Sequence, residues 1–189
     1  MMSLLALTGL ALCLAGCGGA QDQYFRLSVW SPAPTGSAGM AVGVGPVTLP
    51  AYLDRGELVF MSGANEVQIP AKVHWAGTLQ DNITRTLAAD LGRGIGSSNV
   101  LPYPWGANVK LRYQVTVDVR QFHAVSGGEA ILEAAWRIQS PEDGQVLRRQ
   151  NVRMHERIVG DGYEPVVMAE SRLVERLAET ISRSLPGGR

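Results

Sequence analysis

Residues 109–158 read VKLRYQVTVDVRQFHAVSGGEAILEAAWRIQSPEDGQVLRRQNVRMHERI, and this stretch decides the fold. In its first third Val109, Leu111, Tyr113, Val115, Val117 and Val119 occupy one parity, while Lys110, Arg112, Gln114, Thr116, Asp118 and Arg120 occupy the other. A period of two is the signature of a strand with one buried face. At Gln121 the parity flips, since Phe122 and Ala124 now carry the apolar side, which predicts a bulge. Ser126-Gly127-Gly128 turns the chain into a second strand that buries Ala130, Leu132, Ala134, Trp136 and Ile138. Pro141-Glu142-Asp143-Gly144 turns it again, and residues 145–158 set Val146, Val152, Met154 and Ile158 against Arg149, Asn151, Arg153, His155 and Arg157. Three long strands joined by tight turns form an antiparallel meander with one face for a core.

Working outward, the apolar period changes to four on both sides of the meander. Leu79, Ile83, Leu87 and Leu91 draw one stripe along a helix, with Thr78 and Asp81 at capping-box spacing and Gly92 and Gly94 as its left-handed stop. A second helix starts between Asp161 and Pro165 and ends before Pro186, with Leu173, Leu177, Ile181 and Leu185 as its stripe and Glu179 and Arg183 as an outer i,i+4 pair. Further upstream, Tyr24–Trp30 and Met40–Leu49 read as strands, the second confined to an edge or bulge by Gly43, Gly45 and Pro46, with the loop 31–39 between them. Residues 57–61 and 66–69 flank a hairpin turn at Ser62–Asn65. The expected architecture is a single layered α/β domain over residues 24–189. Its mixed, largely antiparallel sheet of about seven strands is packed by two amphipathic helices.

Composition narrows the functional classes. The chain has 189 residues, 46% apolar and 18% charged, with 17 Lys+Arg balancing 17 Asp+Glu. Zero net charge removes the positive field a nucleic-acid binder uses to gather phosphates, so no nucleic-acid partner is expected. All but Lys72 and Lys110 of the cations are Arg, the residue suited to planar, multi-donor contacts.

The first residues differ from the rest. Leu4–Ala15, LLALTGLALCLA, is uncharged and apolar but too short to cross a bilayer core of about 30 Å, which needs about 20 helical residues. It has the length of an export-signal core. Directly after it, Leu14-Ala15-Gly16-Cys17 resembles the lipobox of bacterial lipoproteins. That resemblance implies a signal peptide over 1–16, cleavage between Gly16 and Cys17, and a lipidated, palmitate-bearing Cys17 as membrane anchor. Cys13 follows the bulky Leu12 and does not compete. Residues 17–23 would then be a tether reaching about 24 Å when extended at about 3.4 Å per residue. Gly18 stands where an Asp would favour inner-membrane retention, so the lipoprotein resemblance points to the outer membrane, facing the periplasm. Residues 17–189 suffice to bury about 70% of the unfolded chain's surface, and with Cys17 alkylated no internal disulfide is available.

Several blocks in order carry a wider resemblance. They are Tyr24-Phe25-Arg26-Leu27, the run Gly43–Arg55 (GVGPVTLPAYLDR), Trp75-Ala76 leading to Leu79, Val100–Trp105, Tyr113–Val119 and Leu132–Arg137. Together they resemble the ABC-type transport auxiliary lipoprotein family over nearly the whole mature chain. The resemblance implies a lipid-anchored, non-enzymatic accessory subunit of an MCE/ABC-type envelope lipid transport system, which supports membrane integrity by moving lipid between membranes.

The residues themselves show no catalytic constellation. His74, His123 and His155 lie far apart without metal-ligand spacing, so no metal site is expected. Gly43-Val44-Gly45 and Gly92–Ser98 lack the Gly-Lys-Ser/Thr of a phosphate loop, and no cofactor is expected. The alternative to a transport accessory is a periplasmic lipoprotein enzyme or small-ligand binder. Pro102–Trp105 reads as a strand end packed on the core, with a ligand or partner platform as the competing reading. Finally, Arg112, Arg120, Arg137, Arg149, Arg153 and Arg157 all fall on the non-core parity of the meander, beside Asp118, Glu129 and Glu133. Such a row is either a solvated face with cross-strand ion pairs or an interface with a second copy or the MCE-domain partner. The interface reading predicts a homo-oligomer or a partner complex, because the two helical stripes cover only the opposite face.

Overall fold

The computed structural model describes residues 21–30, 39–125 and 128–186. The meander is its centre: β7 (Tyr113–Val125), β8 (Glu129–Gln139) and β9 (Val146–Arg157) pair antiparallel in chain order. Tyr113, Val115, Val117 and Val119 are buried, as are the five β8 residues of core parity. The register shifts between Val119 and Gln121, where the parity flips, and Phe122 and Ala124 are buried beyond it. The strand begins four residues later than the alternation suggests, because Val109 closes a turn on Gly106 and Leu111 packs against Gly43. In β9 a second shift, between Ile138 and Gln139, turns Leu147 toward the core and leaves Val146, expected inside, 46% exposed.

The other edge of β7 is shared. Its first half pairs parallel with β2 (Val42–Thr48) and its last two residues with β3 (Phe60–Met61). Beyond these lie β6 (Val100–Pro102), parallel to β2, and β4 (Val67–Gln68), antiparallel to β3. The result is a mixed sheet of seven strands whose longest ladders are antiparallel, with a separate parallel pair of β1 (Gln23–Phe25) and β5 (Val73–Trp75).

Of the two positions expected for β2, an edge or a bulge, the structure shows the bulge. It lies between β7 and β6, and the chain tolerates Pro46 there because the β6 ladder ends at Val44 and the β7 register slips between Val44 and Val47. β1 is shorter than expected, since the N–H groups of Leu27 and Ser28 donate not to a strand but to Asn82 Oδ1 (3.3 Å) and Ser171 Oγ (3.0 Å). Of the expected loop 31–39 only Gly39 belongs to the described residues.

Both helices lie on the core face of the sheet, α1 (Leu79–Ile95) over β2 and β6, α2 (Glu164–Ser184) over β8 and β9. Thr78 caps α1 by accepting from the Asp81 N–H at 3.1 Å. The helix runs past Gly92 and Gly94, expected as its stop, and ends at Gly96, whose φ of 63° is the left-handed cap. Gly92 and Gly94 serve packing instead: an added Cβ would stand 2.9 Å from the Ser97 carbonyl oxygen at Gly92 and 3.0 Å from Ser182 Cβ at Gly94. The stripes Leu79-Ile83-Leu87-Leu91 and Leu173-Leu177-Ile181-Leu185 are all buried, and the outer Arg183–Glu179 pair closes at 3.0 Å. Ala130 and Ala134 keep the sheet low under α2.

Candidate functional site

With both helices on one face, the other face of the sheet keeps the meander's polar parity. Among the described residues, aromatic side chains cover it at two corners. Tyr103 and Trp105, edge to face at 5.3 Å, sit over Gly45 and Gly43 of β2, where an added Cβ at Gly43 would meet the indole at 2.8 Å. The Pro102–Trp105 segment is a strand end, but not one packed on the core as expected: with Tyr103 49% exposed, it lies on bare glycines of the face without helices, which explains why the Gly43–Thr48 block is glycine-rich. At the opposite corner Tyr52 donates to the Arg120 carbonyl at 3.0 Å and tilts over His123, buried to 3% exposure. Burial holds the His123 imidazole below its usual pKa; burial first, and Glu133 second, raise the Tyr52 phenol.

Between these corners the face opens into a trough of about 680 Å³ running across β2, β7, β8 and β9. Its residues come in cross-strand rows set by the sheet register. One row is Thr116, Arg137 and Arg149; the next is Asp118, Ala135 and Asn151, with Thr48 of β2 donating to Asp118 at 2.8 Å. Arg137 Nε donates to Thr116 Oγ1 at 2.9 Å, which fixes the guanidinium plane across the floor.

The six expected arginines divide into groups. Arg112 lies outside the row, before β7, over the Tyr113 ring at 5.6 Å. Arg120 and Arg153 reach Glu133 at 4.0 and 3.8 Å, the expected cross-strand ion pairs, and Arg120 also reaches Asp118 of its own strand at 3.7 Å, each pair worth at most about 1 kcal/mol. Arg157 stands opposite Glu129 in the register. Arg137 and Arg149 stand directly opposite each other, and among the described residues neither has a carboxylate within ion-pair distance. That opposition was legible in the turn, because β8–β9 partners are equidistant in sequence from Asp143. Gly16 and Cys17 lie outside the described residues.

The remaining candidates resolve into local structure. His74 stacks on Tyr24 at 5.3 Å, and His155 Nδ1 lies 3.4 Å from Glu129. Among the described residues no group of three or more His, Cys, Asp or Glu is arranged for a metal, and no helix is long and apolar enough to cross a membrane.

Two buried carboxyls were not foreseen. Glu170 falls on the α2 stripe three residues before Leu173 and is 2% exposed, with Oε2 lacking a hydrogen-bond partner; burial pushes its pKa up to about 8. Asp90, on α1, is pushed up to about 6, by burial against the pull of Arg93, with Glu175 adding to the rise. Arg93 bridges the helices, 3.4 Å from Asp90 and 2.8 Å from Glu175.

The fold has solved counterparts. A crystal structure of an uncharacterized protein superposes with a TM-score of 0.75 at 20% identity, covering 88% of this chain and all of that one. Protein XCC0632 from Xanthomonas campestris gives 0.64 at 15% identity over 84% of this chain and 92% of that one. In sequence, the chain is 25% identical over 180 residues to the intermembrane transport lipoprotein PqiC of Escherichia coli (strain K12), covering 93% of both chains. The family model described as ABC-type transport auxiliary lipoprotein component matches residues 27–182, which span both helices and the sheet from β2 to β9. By that match, the chain belongs to the ABC-type transport auxiliary lipoprotein component family.

Proposed function

We propose that this protein is a non-enzymatic, lipid-anchored accessory subunit of an MCE/ABC-type lipid transport system in a two-membrane envelope. The observation that carries the reading is the family match over residues 27–182, joined by near full-length similarity to a relative named for intermembrane transport. In this account the signal peptide 1–16 is cut between Gly16 and Cys17, and lipid on Cys17 holds the domain 24–189 at the outer membrane, facing the periplasm. The tether, expected over 17–23, ends one residue earlier because Gln23 is paired in β1, and it keeps the domain within about 20 Å of the leaflet at about 3.4 Å per residue.

The half of the sheet without helices is the docking face. Its strands present Arg120, Arg137, Arg149, Arg153 and Arg157 on one side of β7–β9, and Arg is enriched where proteins meet. A second copy of the chain or the MCE-domain subunit is the partner. The test is Arg149→Glu combined with Arg153→Glu. Exposed substitutions of this kind cost the isolated domain little. A folded double variant with reduced oligomer size by analytical ultracentrifugation, or lost capture of the transport partner, supports the docking face; unchanged size together with unchanged capture refutes it.

A further inference from the structure

Arg137 and Arg149 form a like-charge pair that the sheet register holds face to face. Like charges directly opposite in a ladder destabilise it, and elsewhere on this face the sheet neutralises arginine with acid, as Glu133 does between Arg120 and Arg153. At Arg137 and Arg149 it does not. Thr116 occupies Nε of Arg137, which orients that guanidinium and leaves its two Nη groups as donors. Both side chains line the trough, and Ala135, the neighbour of the pair in the next row, keeps its floor open. Asn151 and Thr48 add neutral polar groups along the same walls, and the Asp118 carboxylate that also lines them accepts from Thr48 at 2.8 Å and faces Arg120 at 3.7 Å.

Two guanidiniums at opposite register positions on one trough can match the oxygens of a phosphate, since each planar fork can offer two parallel N–H donors. The trough, at about 680 Å³, is of the size that encloses an organic ligand and holds more than a bare anion. Its walls mix polar groups with Pro46, Val117 and Trp136, and the end at Arg137 and Arg149 suits the charged part of a headgroup. We propose that the trough binds a phosphate-bearing lipid headgroup, with the phosphate between Arg137 and Arg149 and the rest of the headgroup extending past Ala135 toward Asn151. The lipid source of the phosphate rests on the transport reading above; the anion site itself rests on the register and the trough.

The experiment is isothermal titration of the full-length protein in a neutral, phosphate-free detergent. The probes are inorganic phosphate and dihexanoyl-phosphatidylglycerol. The expected result is saturable binding of the phospholipid at least tenfold tighter than inorganic phosphate, weakened at least tenfold in both Arg137→Gln and Arg149→Gln and unchanged in Arg153→Gln. Both glutamine variants relieve the like-charge opposition, so their melting temperatures without ligand should match or exceed the parent's, which separates lost binding from lost fold. Equal affinity for the two probes overturns the headgroup assignment. Failure of both probes to saturate, or binding unaltered in both variants, overturns the site. Capture of the transport partner is scored separately on the same variants, so an empty trough with retained capture leaves the accessory role standing.

Discussion

Replacing Glu170 by Gln should make the protein more stable at alkaline pH and leave it unchanged at acid pH. The carboxyl lies on the buried stripe of α2, and burial raises its pKa from 4.5 to about 8. A raised carboxyl pKa means that the folded state holds its proton longer than the unfolded chain does. Below about pH 4 both states are protonated and the group contributes nothing. As pH rises through 4.5 the unfolded chain ionises first, so stability falls steadily until the folded carboxyl also ionises above about pH 8. The gap between 4.5 and about 8 corresponds to about 5 kcal/mol, of which about 3 kcal/mol is already present at pH 7. Gln has nearly the same shape and never ionises, so it removes the pH-dependent part alone. Urea unfolding followed by far-UV circular dichroism at pH 4 and pH 9 measures the difference. The variant should match the parent at pH 4 and exceed it by several kcal/mol at pH 9, a gain of roughly 10 °C or more in melting temperature at this chain length. An offset between variant and parent that is the same at both pH values would refute the reasoning. Asp90, raised to about 6, is present in both proteins and cancels from the comparison.

Gly92→Ala places a Cβ 2.9 Å from the Ser97 carbonyl oxygen, a backbone atom of the turn that follows α1. That turn must shift, so denaturant unfolding should show a loss of about 1–3 kcal/mol despite the roughly 1 kcal/mol that alanine gains over glycine in a helix. Cys17→Ser should abolish incorporation of labelled palmitate and leave the signal peptide uncut, seen as a slower band on a gel; normal labelling would end the anchor assignment. Density fractionation should place the palmitoylated protein with outer-membrane markers, and its recovery with inner-membrane markers would contradict the reading of Gly18.

The meander and both helical stripes were legible because burial on one face leaves a period in the residues themselves: two in Tyr113–Val119 and Ala130–Ile138, four in Leu79–Leu91 and Leu173–Leu185. What the period could not carry was anything set by a partner element. Gly92 and Gly94 look like a helix stop until the Ser97 carbonyl stands against Gly92 and α2 brings Ser182 against Gly94. Leu27 and Ser28 alternate like a strand, yet side chains of α1 and α2 take their amides. Pro46 argues for an edge only while the length of β6 is unknown. The arginine row was readable as a face, and Asp143 at the turn could have revealed which arginines oppose each other. The trough was not readable, because it needs β2, which supplies Pro46 and Thr48, set beside the three meander strands.

The accessory role itself is tested most directly by purifying the affinity-tagged full-length protein from detergent-solubilised envelopes and identifying what comes with it by mass spectrometry. The account expects an MCE-domain protein, with components of its ABC-type transporter, enriched over a parallel purification of an unrelated outer-membrane lipoprotein. Equal recovery of those proteins from both baits, or enrichment of a catabolic enzyme complex in their place, would contradict it.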